Sequence, residues 1–146
     1  MKTVFVSSTF KDFQHERDVL RDRVLPLLNE NAKKYGKSVG FCDLRWGFDT
    51  SSEDEEDSAK KILSVCLNEI DRSNPYMIVL FGERYGYIPD EKMIKEMTDR
   101  KRFVLNQYDI SITALEIEYG ALRDSEMLEN TFFLFSRDRK YGRYSK

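Results

Sequence analysis

A run of five apolar residues, Met77-Ile78-Val79-Leu80-Phe81, restricts the fold of this chain more than any other stretch of its sequence. Such an uninterrupted run is typical of a strand covered on both faces, as in a parallel sheet with helices on either side. The run ends abruptly in Gly82-Glu83-Arg84-Tyr85-Gly86, a glycine-bounded turn that carries a carboxylate, a guanidinium and a phenol. Because ligands of open parallel sheets bind just outside the carboxyl ends of the strands, this turn is a candidate wall of a binding site.

Segments with a strand pattern alternate along the chain with segments of helical periodicity. Strands are predicted over residues 3–6, 39–44, 77–81 and 131–135. Helices are predicted over residues 10–35, 58–71, 88–100 and 112–122. The order β-α-β-α-β-α-α-β predicts an α/β domain, in which right-handed crossovers place helices on both faces of a mostly parallel sheet.

The first predicted helix has one apolar stripe and a proline inside it. Thr9 is a candidate N-cap, and the stripe is formed by Phe13, Leu20, Val24, Leu27 and Leu28. Pro26 has no N–H to donate to the carbonyl four residues back, so we expect it to kink or divide the helix.

Composition and residue usage exclude several classes of protein. The 24 basic and 26 acidic side chains nearly cancel, so we expect neither nucleic acid nor a membrane as a partner. The apolar runs are far shorter than the roughly 20 residues that span a bilayer, and residues 1–9 show no signal-peptide pattern, which predicts a cytoplasmic location.

Cys42 and Cys66 lie in apolar elements and are expected to be reduced. His15 is the single histidine, so we predict no metal site and no Ser-His-Asp triad.

Polar residues follow three of the predicted strands. If strand one lies between strands two and three, the first and third clusters flank the switch point of the sheet. Guanidinium groups bind phosphate oxygens, carboxylates accept hydrogen bonds from ribose, and aromatic rings stack on bases. The candidate residues for binding a nucleotide or another phosphorylated ligand are therefore Ser7, Ser8, Thr9, Asp43, Arg45, Trp46, Glu83, Arg84 and Tyr85. The alternative is a network of ion pairs that only braces the strand ends.

Glu116 admits two interpretations. Thr113-Ala114-Leu115-Glu116 fits a capping box, in which the glutamate bonds to the amide of its own N-cap residue. Alternatively, Glu116 faces the same rim as the strand-end clusters. There it would bind a ribose or stabilise an oxocarbenium ion during cleavage of an N-glycosidic bond.

Several motifs, in order along the chain, resemble one known family. They are Val4-Phe5-Val6-Ser7-Ser8-Thr9-Phe10, Asp12, Glu16-Arg17-Asp18, Asp43-Leu44-Arg45-Trp46-Gly47, Cys66-Leu67-Asn68-Glu69-Ile70-Asp71, Gly82-Glu83-Arg84-Tyr85-Gly86-Tyr87-Ile88-Pro89 and Glu116-Ile117-Glu118-Tyr119-Gly120. Together they resemble the N-terminal domain of unknown function that precedes NACHT or other STAND NTPase modules. That family includes animal telomerase-protein-component-1-like, nephrocystin-3-like and NACHT/WD-repeat proteins, and bacterial relatives linked to antiphage defence.

The family in turn resembles the Toll/interleukin-1 receptor (TIR) domain. This resemblance implies a flavodoxin-like, three-layer α/β domain with strand order 2-1-3-4, to which a fifth strand can be added. TIR-like domains either cleave NAD at its glycosidic bond, with a glutamate in the helix region after strand three, or act as assembly modules. By position Glu116 matches that glutamate, and the acidic residues 49–57 match the loop that gates the site. TIR domains usually carry Trp-Cys before the glutamate, where this chain has Ser111-Ile112-Thr113-Ala114, and residues 87–107 form an insertion.

These expectations combine into one hypothesis and one alternative. We predict an N-terminal effector or signalling domain of a STAND-type NTPase, in innate or antiphage defence, that binds a nucleotide. NAD is its candidate substrate, Glu116 its catalytic carboxylate, and no cofactor is permanently bound. The alternative is a non-enzymatic homotypic interaction module. In both cases the expected partner is a second copy, brought close by a larger NTPase scaffold. The domain is predicted to span residues 1–138, with residues 139–146 as a basic tail or the start of a linker to a further C-terminal region.

Overall fold

The fold is built on a four-stranded parallel sheet. A computed structural model of the chain describes residues 1–9, 11–44 and 55–136, except for the side chains of residues 55 and 56. The strands are β1 (Lys2–Ser7), β2 (Val39–Cys42), β3 (Met77–Phe81) and β4 (Thr131–Phe135), and all pairings are parallel. Their order across the sheet is β2-β1-β3-β4. The predicted α/β class and flavodoxin-like strand order are therefore confirmed.

Helices connect the strands and flank the sheet. They are α1 (Gln14–Val19), a π-helical turn (Leu20–Val24), α2 (Leu25–Lys33), α3 (Glu55–Ser73), α4 (Glu91–Arg100), α5 (Ile112–Gly120) and α6 (Ser125–Glu129). The prediction missed α6, because a helix of five residues is too short to show a period. Within the described part of the chain, no helix has both the length and the apolar character needed to cross a membrane.

The hydrophobic core lies on the face of the sheet that α3 and α5 cover. Phe5 and Val79 project from the strands into a cluster with Leu63, Leu67 and Leu115, and each of these side chains is almost fully buried. Burying an apolar side chain of this size contributes about 1.5–3 kcal/mol relative to leaving it exposed. The core therefore fixes α3 and α5 against β1, and these two helices carry Cys66 and Glu116.

The helical stack of α1, the π turn and α2 lies on the opposite face, where α2 packs against β2. The predicted N-cap is wrong: α1 begins after Phe13, which has a φ of +59° and occupies the N-cap position in place of Thr9. Instead the Thr9 hydroxyl donates to the Asp12 carboxylate in the turn that precedes α1. Phe10, where the predicted helix began, lies outside the described residues.

Pro26 perturbs this stack without ending it. The π turn ends two residues before Pro26, and the proline lies in the first turn of α2, where a missing N–H is tolerated. The expected break thus takes the form of a π turn. The predicted apolar stripe is wrong at its end, because Leu27 and Leu28 are exposed while Leu20 and Val24 are half-buried.

Candidate functional site

The carboxyl ends of β1 and β2 bring three of the predicted site residues to one edge of the sheet. Successive residues of a strand point to opposite faces, so Ser7 faces the α3–α5 layer and Ser8 faces the α1 layer. Phe5 pairs with Cys42 across the two strands, which leaves Asp43 on the same side as Ser8. All three side chains are buried. The end of β1 therefore serves two polar clusters, one on each face of the sheet.

On the α3–α5 face, Glu116 is the centre of the cluster. The Ser7 hydroxyl donates to Glu116 Oε2, and the Cys66 thiol donates to Oε1 over 3.1 Å. The Glu116 residue is only 6% exposed. A carboxyl group from α5 is thus joined directly to the end of a central strand.

The capping-box interpretation of Glu116 is wrong. α5 begins at Ile112, and its N-cap is Ser111, whose hydroxyl oxygen accepts from the N–H of Ala114 over 3.0 Å. Thr113 is therefore already inside the helix, and Glu116 lies beyond the first turn. From there its side chain turns toward β1 and does not reach back to its own N-terminus.

Burial changes the acidity of Glu116. Removal of the carboxyl group from water raises its pKa to about 7, although the bonds from Ser7 and Cys66 and the charge of Arg17 act in the opposite direction. The negative charge of Asp43 adds to the increase. Near neutral pH, the group is therefore divided between its neutral and its ionised form.

On the opposite face, Arg17 joins the ends of β1 and β2. Its guanidinium donates to the Ser8 hydroxyl and forms an ion pair with Asp43, and it lies 3.5 Å from the Thr9 carbonyl oxygen. The Arg17 residue is 1% exposed. A charged group this deeply buried requires such partners, because an uncompensated charge would cost several kcal/mol.

Arg17 is a site residue that the sequence reasoning missed. The sequence does contain an indication that Arg17 is buried. Arg17 follows Phe13 by four residues and precedes Leu20 by three, so it lies on the apolar stripe of the helix. A charged residue in that position calls for a buried partner, which is Asp43.

The turn after β3, residues 82–86, forms the exposed rim of the site and is called the rim turn below. Arg84 Nε lies 3.5 Å from Asp12 Oδ1, with 57% of the Arg84 side chain exposed, and Glu83 and Tyr85 are exposed as well. Gly86 has a φ of +97°, and a Cβ there would lie 3.3 Å from Thr9 and 3.4 Å from Thr113. The rim turn is therefore held against both the end of β1 and the start of α5.

The structure thus divides the predicted residues into three groups. Ser7 and Glu116 are bonded on one face, while Ser8, Thr9 and Asp43 gather around Arg17 on the other. Three residues form the rim: Glu83, Arg84 and Tyr85. Arg45, Trp46 and most of the predicted gating loop over residues 49–57 lie outside the described residues.

The two cysteines and the acidic side chains complete the chemistry of this edge. Cys42 and Cys66 are free thiols, and burial raises the pKa of Cys42 to about 12 and that of Cys66 well above its usual value. Neither is therefore a thiolate nucleophile at neutral pH. Among the described residues, no group of three or more histidine, cysteine, aspartate or glutamate side chains could hold a metal ion. What the arrangement offers is a buried carboxyl group beside a rim with an exposed guanidinium and phenol.

Comparison with known proteins places similar sequences inside much larger ones. The chain is 34% identical over 149 residues to a TPR repeat-containing protein of Dictyostelium discoideum, a match that covers 94% of the chain and 8% of that protein. It is 42% identical over 86 residues to mouse telomerase protein component 1, covering 59% of the chain and 3% of that protein. It is 37% identical over 92 residues to mouse NACHT and WD repeat domain-containing protein 2, covering 58% of the chain and 5% of that protein.

The chain therefore spans less than a tenth of the length of these relatives. No solved structure matches it. The family model described as "Domain of unknown function (DUF4062)" matches residues 3–142, nearly the whole chain. The chain belongs to this family, DUF4062.

Proposed function

We propose that this domain binds a nucleotide at the carboxyl edge of its sheet and cleaves NAD there, with Glu116 as the catalytic carboxylate. The observation that carries the proposal is the position of Glu116, which α5 brings to the end of β1 where ligands of doubly wound sheets bind. In its biological setting, the domain would act as an effector or signalling domain of a STAND-type NTPase in innate or antiphage defence. The names of its relatives, which include a NACHT and WD repeat protein, support an association with NTPase modules.

The proposed reaction uses Glu116 in its ionised form. The bond between the ribose C1′ and the nicotinamide nitrogen breaks, and its electron pair leaves with nicotinamide as a neutral molecule. The carboxylate stabilises the positive charge that develops on the ribose, by analogy with glycoside hydrolysis. Water then adds to C1′ and releases a proton, which gives ADP-ribose.

The rim residues suit the rest of such a ligand. Arg84 offers an exposed guanidinium for a phosphate group, and Tyr85, 53% exposed, offers a ring on which a base can stack. Because Glu116 is buried, we expect ligand entry to be coupled to movement of this rim. Ser7 and Cys66, which hold the carboxylate, would keep it oriented while the ligand binds.

The reaction is tested by following nicotinamide release from NAD. The domain is fused to an oligomerising tag, and the wild type, Glu116→Gln and Glu118→Gln are compared. Glu118 is exposed on the same helix, so its substitution is a matched control. We expect release by the wild type and by Glu118→Gln, and at least a hundredfold loss with Glu116→Gln, as for the removal of a catalytic carboxylate. Equal release by all three proteins, or none by a confirmed oligomer, contradicts the proposal.

The second candidate function is a non-enzymatic module that associates with a second copy of itself. The observation in its favour is the apolar surface of the edge strand β4, where Phe132 is 71% exposed and Leu134 is 49% exposed. Both residues pair with β3 residues that face the α1 layer, and among the described residues that layer is formed by one helical stack. Exposed apolar side chains that are grouped on a sheet edge are typical of an interaction surface.

A further inference from the structure

The proposed catalytic centre explains Glu116 but leaves the buried pair on the opposite face without a role. Arg17 is the buried residue of α1, a helix whose other residues are exposed or half-buried. A buried ion pair adds little to stability compared with apolar residues of the same volume. The position of this ion pair at the ends of β1 and β2, on the opposite face of the sheet from Glu116, therefore needs another explanation.

The first link between Arg17 and Glu116 is geometric. Arg17 bonds the Ser8 hydroxyl and the Asp43 carboxylate, so it fixes the ends of both strands. Ser7 is the next residue along β1, and its hydroxyl points to the other face and holds Glu116 Oε2. Adjacent Cα atoms are only 3.8 Å apart, so a shift of Ser8 also displaces the hydroxyl that orients Glu116.

The second link is electrostatic. The groups that act on Glu116 are Ser7 from β1, Cys66 from α3, Arg17 from α1 and Asp43 from the end of β2. Ser7 and Cys66 are neutral donors, whereas Arg17 and Asp43 carry opposite charges. The positive charge of Arg17 favours the ionised carboxyl group, and the negative charge of Asp43 favours the neutral one. In a buried site such charges are screened much less than at the surface.

We infer that Arg17 is the positioning residue of this site and that Arg17 and Asp43 together control whether Glu116 carries a charge. The functional part of this inference rests on the proposed role of Glu116. Arg17 orients the carboxyl group through Ser8 and Ser7, and it keeps a fraction of it ionised against the effect of burial. Asp43 holds Arg17 in place and opposes that ionisation. A ligand group that drew either partner away would thus change the charge of Glu116.

The inference is tested by titrating Glu116 itself. The carboxyl carbon of Glu116 is observed by NMR in protein labelled with 13C at glutamate, and its signal is identified by its loss in Glu116→Gln. Titration midpoints are measured for the wild type, Arg17→Met, Arg17→Lys and Asp43→Asn. Arg100→Met serves as the control, because Arg100 is an exposed residue that pairs with Glu96 on α4.

The two neutralising substitutions break the same ion pair but should move the midpoint in opposite directions. Arg17→Met leaves the negative charge of Asp43 near Glu116, so its midpoint should rise by about one pH unit or more. Asp43→Asn leaves the positive charge of Arg17, so its midpoint should fall below that of the wild type. Arg17→Lys keeps the positive charge, so its midpoint should rise less than that of Arg17→Met, and the midpoint of Arg100→Met should stay within about half a unit of the wild type.

If the Arg17–Asp43 pair only stabilises the strand ends, a different pattern of midpoints is expected. Loss of either partner would then loosen the strand ends and admit water, and both midpoints would move toward the ordinary value of a glutamate. Midpoints that shift in the same direction therefore overturn the inference. If Arg17→Met does not fold, Arg17→Gln takes its place, because glutamine keeps a hydrogen-bond donor at this position without the charge: a midpoint above that of the wild type supports the inference, and an unchanged or lower one overturns it. The titration needs no NAD, so a protein with split midpoints that never releases nicotinamide refutes the proposed reaction but not the control by Arg17.

Discussion

At the scale of the residue, the polar groups at the ends of β1 and β2 are arranged in layers. Ser7 and Ser8 are neighbours in the chain, yet one bonds Glu116 on one face of the sheet and the other bonds Arg17 on the opposite face. The sequence shows which residues follow the strands, and the period of two predicts that neighbours separate. It does not show the partner of each group, because Glu116 lies 109 positions from Ser7. Such contacts follow from the packing of α5 and not from any local pattern.

The raised pKa of Glu116 predicts how the stability of the fold depends on pH. The native state holds this proton more tightly than the unfolded chain, so its contribution is fully present below about pH 4.5 and is lost as the pH rises through about 7. Relative to Glu116→Gln, the free energy of unfolding of the wild type should therefore fall by about 2–3 kcal/mol between pH 5 and pH 8. Urea unfolding of both proteins at the two pH values measures this difference. A difference that is constant, or that increases with pH, would show that Glu116 is not held in this environment.

At the scale of the element, long segments were predictable and short or irregular ones were not. The apolar run of β3 was predicted to the residue because five adjacent apolar side chains fit a doubly covered strand. α6 was missed, although Asp124 marks its start by accepting from the N–H of Met127. The start of the first helix was misplaced because Phe13 adopts a left-handed conformation that no sequence rule assigns to phenylalanine. The predicted capping box was wrong for a related reason. Serine and threonine both cap helices, so the sequence does not show whether α5 begins after Ser111 or after Thr113, and in the structure it begins after Ser111.

The rim turn after β3 gives a prediction at this scale. Gly86 has a φ of +97° and lies against Thr9 and Thr113, whereas Gly36 has a φ of +65° and open space around it. A side chain at either position adopts a strained backbone, which costs about 1–2 kcal/mol. Gly86→Ala also crowds its neighbours, so it should lower the free energy of unfolding by more than Gly36→Ala does. Thermal or urea unfolding compares them, and an equal or smaller loss for Gly86→Ala would place the rim turn away from β1 and α5.

At the scale of the whole molecule, the described residues cover the two faces of the sheet differently. The face with α3 and α5 carries the hydrophobic core, while Phe132 and Leu134 on the other face remain exposed. Alternating strand and helix patterns were sufficient to predict the parallel sheet, because right-handed crossovers leave few other topologies, while the strand order was implied by the resemblance to TIR domains. These patterns could not predict the uneven cover, which, within the described residues, depends on how far the stack of α1 and α2 extends across the sheet.

The exposed strand edge gives the prediction that distinguishes the second candidate function. If two copies associate through β4, the wild type should form dimers as its concentration rises, and Phe132→Ser with Leu134→Ser should prevent this. Leu27→Ser is a matched control, because Leu27 is an exposed apolar residue on α2. Sedimentation velocity over a range of concentrations measures the outcome. A wild type that stays monomeric, or dimers that persist in the doubly substituted protein, would remove β4 as the interface.

We propose that Ser7, Glu116 and the rim turn form one nucleotide site, and direct mapping of NAD on the domain tests this proposal most directly. Glu116→Gln protein labelled with 15N and 13C is titrated with NAD, so that binding is observed without turnover. We predict saturable changes in NMR chemical shift that are concentrated at Ser7, Ser8, Asp43, residues 82–86 and residue 116, with Arg84→Ala weakening the binding about tenfold or more. Changes that are absent at millimolar NAD, or that cluster away from this edge of the sheet, would contradict the account.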